Sequence, residues 1–204
     1  MPSQPLLILG TFNRKKGLEL AEVLAPAGLK LQTLANFLEA IQVAEEGETF
    51  AANAALKATV QARHLGRWVL GEDSGLMVDA LGGAPGVFSA RYSGEQATDP
   101  WNNRQLLERL GKIPLEQRTA HYECHMAVAD PAGTIRATSE GVCRGRILFS
   151  GRGTEGFGYD PLFEIVEYHR TFGELSSLVK SCLSHRARAA RQLLPQLVEL
   201  PAQG

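Results

Sequence analysis

Phe157-Gly158-Tyr159-Asp160-Pro161, followed by Lys180 and then Ser184-His185-Arg186, forms a set of residues suited to a flat heterocycle. An aromatic ring on a glycine hinge can stack on a base. Asp160 offers an acceptor, and Lys180, His185 and Arg186 offer donors, for the polar edge of a ring carrying several carbonyls. A second set lies upstream: Thr11, Lys16, Glu45, Lys57 and Asp73. Hydroxyl, ammonium and carboxylate groups in that combination suit a metal-bound polyphosphate. The two sets together imply a nucleoside triphosphate.

Gly10-Thr11-Phe12-Asn13-Arg14-Lys15-Lys16-Gly17 joins an apolar run to a helical pattern. Backbone N–H groups and the helix dipole favour an anion at such a junction, and Lys16 would add a point charge. The segment is not a Walker A loop, which needs Gly where Lys15 stands and Ser or Thr where Gly17 stands. Alone, it reads more simply as the basic start of a helix.

Glu45, Glu46 and Glu48 precede an alanine-rich helix, and Glu72-Asp73 follows an apolar run. Glu46 and Glu48 fit plain helix-start charges. Asp73 is harder to account for structurally, because Asp is disfavoured in strands and a carboxylate at a strand end is a common place for an α/β site. Oxygen ligands without a Cys–His set suit Mg²⁺ rather than Zn²⁺. His121 and His125 flank Cys124 but lack a further ligand of matching spacing, so a strand surface is expected; His64 and His169 read as surface residues.

The elements that must position these groups are those of one compact, two-lobed α/β unit over residues 1–204, with a central cleft. The chain is 44% hydrophobic and 21% charged with net charge −1, which fits a soluble globule with a real core and excludes the clustered positive surface that long nucleic acid needs. No apolar run has membrane-helix length, and the first residues lack signal-peptide character. Three widely spaced cysteines form no disulfide framework and point to a reduced, cytoplasmic setting.

Pro5 to Gly10 reads as a buried first strand, Asn13 to Pro26 as a helix, and Leu29 to Leu34 as a second strand. Glu48 to Gly66 reads as a helix with Thr49, Asn53 and Lys57 on one polar stripe. Trp68 to Gly71 leads a strand into Glu72-Asp73-Ser74-Gly75, and Leu76 to Leu81 continues it. Asp99 is the expected cap of a helix through Leu110. Thr119 to Ala129 and Thr134 to Leu148 form a long hairpin around the Asp130-Pro131-Ala132-Gly133 turn. Arg186 to Leu200 is a final helix, with a break near Pro195.

The motifs in their order resemble the inosine/xanthosine triphosphate pyrophosphatase family. The resemblance runs through Thr11 to Lys16, Glu45-Glu46-Gly47-Glu48-Thr49-Phe50, Asn53-Ala54, Leu56-Lys57-Ala58, Asp73-Ser74-Gly75-Leu76, Gly82 to Gly86 and Ser89 to Gly94. It closes with Gly156 to Pro161, Lys180-Ser181 and Ser184-His185-Arg186. It implies a long mixed, curved sheet with flanking helices, two lobes around a cleft, a homodimer, and Mg²⁺-dependent hydrolysis of ITP, dITP or XTP to the monophosphate and pyrophosphate. Carried over, Glu45 and Asp73 look like the metal carboxylates and Asp73 also like the proton acceptor. Thr11, Phe12, Asn13, Arg14, Lys15, Lys16, Lys57 and Ser74 look like phosphate contacts. Phe157, Gly158, Tyr159, Asp160, Lys180, His185 and Arg186 look like the nucleoside pocket. The family usually has glycine where Phe12 and Lys15 stand, which would strain a loop needing positive φ. Glu72 stands where a second Asp is common, and Asp73 or Glu72 would take the proton of the attacking water.

Donors at the base edge would pair with a 6-carbonyl and meet another donor on adenine, a mismatch that a polar site can reject by about 10⁴-fold. Guanine shares that carbonyl and must be excluded otherwise. Three other readings exist. A same-fold pyrophosphatase for modified pyrimidine nucleotides would prefer dUTP or UTP. A nucleotide-sensing module would bind ITP without turnover, and a P-loop phosphatase would release orthophosphate.

Overall fold

The computed structural model describes residues 5–198. Among the described residues, seven strands and five α-helices follow one another, with strands and helices alternating only as far as the fourth strand. They are β1 (Leu6–Leu9), α1 (Arg14–Leu24), β2 (Lys30–Thr33), α2 (Phe50–Leu65), β3 (Val69–Val78) and α3 (Asp99–Leu110). β4 (Thr119–Ala129), β5 (Ile135–Ile147), β6 (Phe163–Ile165), β7 (Arg170–Thr171), α4 (Ser177–Leu183) and α5 (His185–Val198) follow. The sheet order is β2-β1-β3-β4-β5-β6-β7. β1 pairs in parallel with β2 and β3, whereas β6 pairs antiparallel with β5 and β7. The sheet is therefore mixed, as expected.

The chain divides into two compact units. The first comprises Met1–Asp73, Cys124–Gly141 and His185–Gly204, and the second Ser74–Glu123 and Val142–Ser184. In the first, strand alternation sorts the core onto two faces. Leu7, Leu9, Leu70, Met126 and Val128 pack with Leu20 and Leu24 of α1 and with Ala189, Ala190 and Leu193 of α5. Ile8, Val69, Ala127 and Ala129 pack instead with Ala54, Ala58 and Ala62 of α2. Alanine on that helix permits close approach, and Gly71 of β3 takes it furthest. A Cβ there would lie 2.2 Å from the Ala54 carbonyl oxygen and 2.6 Å from the Ala58 nitrogen. The second unit has a core of its own, with Leu76, Leu106, Tyr122, Phe163 and Phe172 at its centre.

Local chemistry sets most boundaries. Asn13 caps α1, Thr49 caps α2, and α2 stops at Gly66 in the left-handed region. The expected hairpin is β4–β5, closed where the Asp130 N–H donates to the Thr134 carbonyl. Several expectations need correction. Thr98, not Asp99, caps α3, because its hydroxyl accepts from the Trp101 N–H while Asp99 is already inside the helix. β3 runs through Asp73 as expected but stops at Val78, three residues short of Leu81, where Asp79–Leu81 turn as a 3₁₀ helix. Pro195 does not break α5, which continues to Val198; Leu200, the expected helix end, lies outside the described residues.

Candidate functional site

Two acid–cation clusters of the first unit lie on opposite faces of β3. Residues 69, 71 and 73 face α2, so the Asp73 carboxylate meets that helix. Its Oδ1 accepts from Lys57 Nζ at 2.9 Å and its Oδ2 from Asn53 Nδ2 at 3.0 Å. Lys57 Nζ also donates to Glu45 Oε1 at 2.8 Å. Two carboxylates thus converge on one ammonium. Burial pushes the Asp73 carboxyl above its ordinary value, and the Lys57 charge only partly offsets this. Burial alone would lower Lys57, but Asp73 and then Glu45 outweigh it and hold the ammonium above its usual range. Thr49 and Lys57 do not share a helical stripe as expected, since Thr49 precedes the helix as its cap.

Glu72 points the other way. Its Oε2 accepts from Lys16 Nζ at 2.9 Å, and its Oε1 from Arg186 Nε at 3.2 Å, Arg186 Nη2 at 3.1 Å and Cys124 Sγ at 3.5 Å. Arg186 Nη1 donates to Glu19. Arg186 is only 3% exposed. Burial opposes its charge, yet Glu72 and then Glu19 raise it further above its ordinary value. Burial, and then the Glu72 charge, pushes the Cys124 thiol well up, so it is no nucleophile here.

The loop between β1 and α1 is built around Asn13. Its Oδ1 accepts from the N–H groups of Lys15 and Lys16 at 3.0 and 3.2 Å, and Thr11 Oγ1 accepts from the Asn13 N–H at 3.0 Å. Phe12, Asn13, Arg14 and Lys15 are exposed. Among the described residues only His169 is a non-glycine with positive φ. Phe12 and Lys15 therefore fit without the strain that their replacement of glycine suggests.

In the second unit, Asp160 organises the loop that carries Phe157. Its Oδ2 accepts from the Phe157 N–H at 3.0 Å and from Lys180 Nζ at 2.7 Å, and Tyr122 OH donates to its Oδ1 at 3.4 Å. Lys180 Nζ stands 5.4 Å from the centre of the Phe157 ring. Asp99 and Asn103 of α3 hold Gly158 by its N–H and carbonyl, at 2.8 and 3.0 Å. Phe157 is half-buried, whereas Tyr159 is buried and donates its hydroxyl to the Ser89 carbonyl. Ser74 is half-buried on β3, and His185 is buried at the start of α5 in the first unit.

The structure thus brings Asp73, Lys57 and Glu45 together, Lys16 and Arg186 together through Glu72, and Asp160, Lys180 and Phe157 together. Glu19, Asn53, Asp99, Asn103 and Tyr122 complete these networks. The sequence signals nothing for Glu19 or Tyr122, but Asn53 shares a helix face with Lys57. Neither histidine beside Cys124 joins a metal set: His121 lies 3.7 Å from Glu123, and His125 lies 3.9 Å from Glu140. No group of three or more His, Cys, Asp or Glu side chains poised for a metal occurs among the described residues. No described helix is long and apolar enough to cross a membrane.

Residues 7–196 match the model of the Ham1 family. A dITP/XTP pyrophosphatase of Rhodopirellula baltica is 55% identical over 95% of this chain and 93% of its own length. One of Desulforamulus reducens is 46% identical over 95% and 96%. A solved HAM1 protein from Coxiella burnetii superposes with a TM-score of 0.87 at 35% identity, covering 96% of this chain and 100% of that one.

Proposed function

The chain belongs to the Ham1 family, and on that premise we propose that it hydrolyses deaminated purine nucleoside triphosphates (dITP, ITP, XTP) to the monophosphate and pyrophosphate. The observation that carries the reading is the convergence of Glu45 Oε1 and Asp73 Oδ1 on one cation, Lys57 Nζ, at 2.8 and 2.9 Å. Two hard oxygen donors gathered around a positive charge fit Mg²⁺, which commonly uses one or two carboxylates together with substrate phosphates. Glu45 and Asp73 would hold it. Bound there, Mg²⁺ supplies charge neutralisation for the phosphate oxygens.

Water attacks the α-phosphorus, its oxygen bonding there as the bond from that phosphorus to the bridging oxygen breaks. The bond's electron pair leaves with pyrophosphate. Asp73 accepts the water proton. Thr11 to Lys16, Lys57 and Ser74 are the proposed phosphate contacts, with Lys57 and Lys16 stabilising negative charge on the leaving group. Phe157, Gly158, Tyr159, Asp160, Lys180, His185 and Arg186 remain the proposed nucleoside group. Within it, Phe157 offers the stacking face and Lys180 the donor, while Tyr159 anchors the loop through its hydroxyl on the Ser89 carbonyl. Arg186, engaged by Glu72 and Glu19, contributes by holding Glu72. We also propose a cytoplasmic homodimer. Three cysteines outside any disulfide support the compartment, and the family resemblance supports the dimer.

Incubation with dITP, XTP, dATP, dGTP and dUTP, with Mg²⁺ or EDTA, tests the reading through the phosphate product. Pyrophosphate from dITP and XTP, lost in EDTA, is expected. Orthophosphate, or equal turnover of dATP, would refute it.

A further inference from the structure

Asn53 lies one helical turn before Lys57 on α2 and is completely buried. Both ends of its amide are used. Nδ2 donates to Asp73 Oδ2 at 3.0 Å, and Oδ1 accepts from the Gly47 N–H at 2.8 Å. Gly47 stands just beyond Glu45. One side chain therefore ties the strand bearing one acid to the loop bearing the other.

The contact is close enough to demand glycine. A Cβ at Gly47 would lie 2.6 Å from Asn53 Oδ1. Because Nδ2 engages Oδ2 of Asp73, the carboxylate is fixed with Oδ1 toward Lys57 and Glu45. A neutral amide can donate to a carboxylate from its nitrogen while its oxygen accepts from a backbone N–H. An acid at this position would keep the second bond and repel Asp73.

We propose that Asn53 is the positioning residue of the divalent-cation site, setting the orientation of Asp73 and the placement of the Glu45 loop through Gly47. The inference rests on the reading of Glu45 and Asp73 as metal carboxylates. Partners standing behind metal ligands typically carry about 10–100-fold in metal affinity or activity. Asn53 acts on both ligands at once, so metal binding is the quantity it controls.

The test uses the full chain and Mn²⁺ as the probe, with free Mn²⁺ read by electron paramagnetic resonance. Asn53→Leu removes both hydrogen bonds at similar volume and adds no charge. Gly47→Ala disturbs the same contact from the loop side and keeps the question answerable if Asn53→Leu does not fold. Each variant is expected to bind Mn²⁺ about 10–100-fold more weakly. Pyrophosphate release should fall at limiting Mg²⁺, with KM for dITP changing by about twofold or less at saturating Mg²⁺. The double variant should be no worse than the weaker single one, since both remove one shared contact. Wild-type Mn²⁺ affinity in a folded variant overturns the inference, as does a wild-type chain that releases pyrophosphate yet binds no Mn²⁺. A wild-type chain that releases no pyrophosphate overturns the functional reading itself.

Discussion

Glu72 and Asp73 follow one another on β3, and strand alternation sends their carboxylates to opposite faces of the sheet. Glu72 receives Lys16 from α1 and Arg186 from α5, while Asp73 receives Asn53 and Lys57 from α2. The sequence alone offers either acid as the base. The structure gives them different work. Glu72 ties two helices to the sheet through a buried ion network. Asp73 shares its ammonium partner with Glu45, the other acid proposed for the metal.

Exchange of each acid for its amide should therefore give different phenotypes. Asp73→Asn is expected to lower turnover by about 10²–10⁴-fold with modest loss of stability, because Lys57 keeps Glu45 as a partner. Glu72→Gln leaves Arg186 buried with one carboxylate removed, which should cost about 3–5 kcal/mol in urea denaturation. Near-normal turnover in Asp73→Asn removes Asp73 from the mechanism.

Lys180 offers a test of the nucleoside group. It is buried against Asp160 at 2.7 Å and lies over the Phe157 ring. Lys180→Met keeps the length of the side chain and removes the charge. KM for dITP is expected to rise by about tenfold, with kcat changing by only about twofold, the pattern of lost substrate binding. A fall in kcat at constant KM would instead place Lys180 with the reacting phosphate.

Much of this arrangement was legible in the chain, for identifiable reasons. Leu6 to Leu9 and the long β4–β5 hairpin carry continuous apolar or alternating patterns with turn residues between them. β6 and β7 are too short to show a period, and α4 is brief. Thr98 and Asp99 are both good caps, and only the folded backbone distinguishes them. Arg186 reads as a donor for a ligand because its partners, Glu19 and Glu72, are distant in sequence. Half of what Asn53 does is a bond to the Gly47 N–H, and a backbone donor does not announce its partner in the sequence. The split of Glu72 from Asp73 follows from the two-residue period of a strand that the sequence already carries through both, but only the folded chain tells which face meets α2.

The β4–β5 turn supplies a prediction of pH dependence. The Thr134 N–H, aided by Arg136 and the Ala132 N–H, holds the Asp130 carboxyl below its ordinary value of 3.8. A depressed carboxyl stabilises the folded chain at pH values above 3.8 and loses that contribution as pH falls through its lowered value. Asp130→Asn should therefore be about 1–2 kcal/mol less stable than wild type at neutral pH. The difference should shrink on acidification below 3.8. Denaturation midpoints across that range measure it, and a difference independent of pH would argue against an ionic role for Asp130.

Gly71 connects packing to chemistry most directly. With no side chain, β3 lies against the backbone of α2 at Ala54 and Ala58, and those helical turns carry Asn53 and Lys57 to Asp73. In Gly71→Ala the added methyl would sit 2.2 Å from a carbonyl oxygen, so α2 must move outward. Overpacking of this kind costs about 1–3 kcal/mol. The larger effect should be on activity, because displacement of α2 lengthens the hydrogen bonds from Asn53 and Lys57 to the same carboxylate. A shift of about an ångström in a positioned group can cost about 10²-fold. The variant is expected to remain folded by circular dichroism at 25 °C while pyrophosphate release from dITP falls by about that factor. A folded variant with wild-type turnover would show that the Asp73 cluster does not depend on how closely α2 is pressed to the sheet.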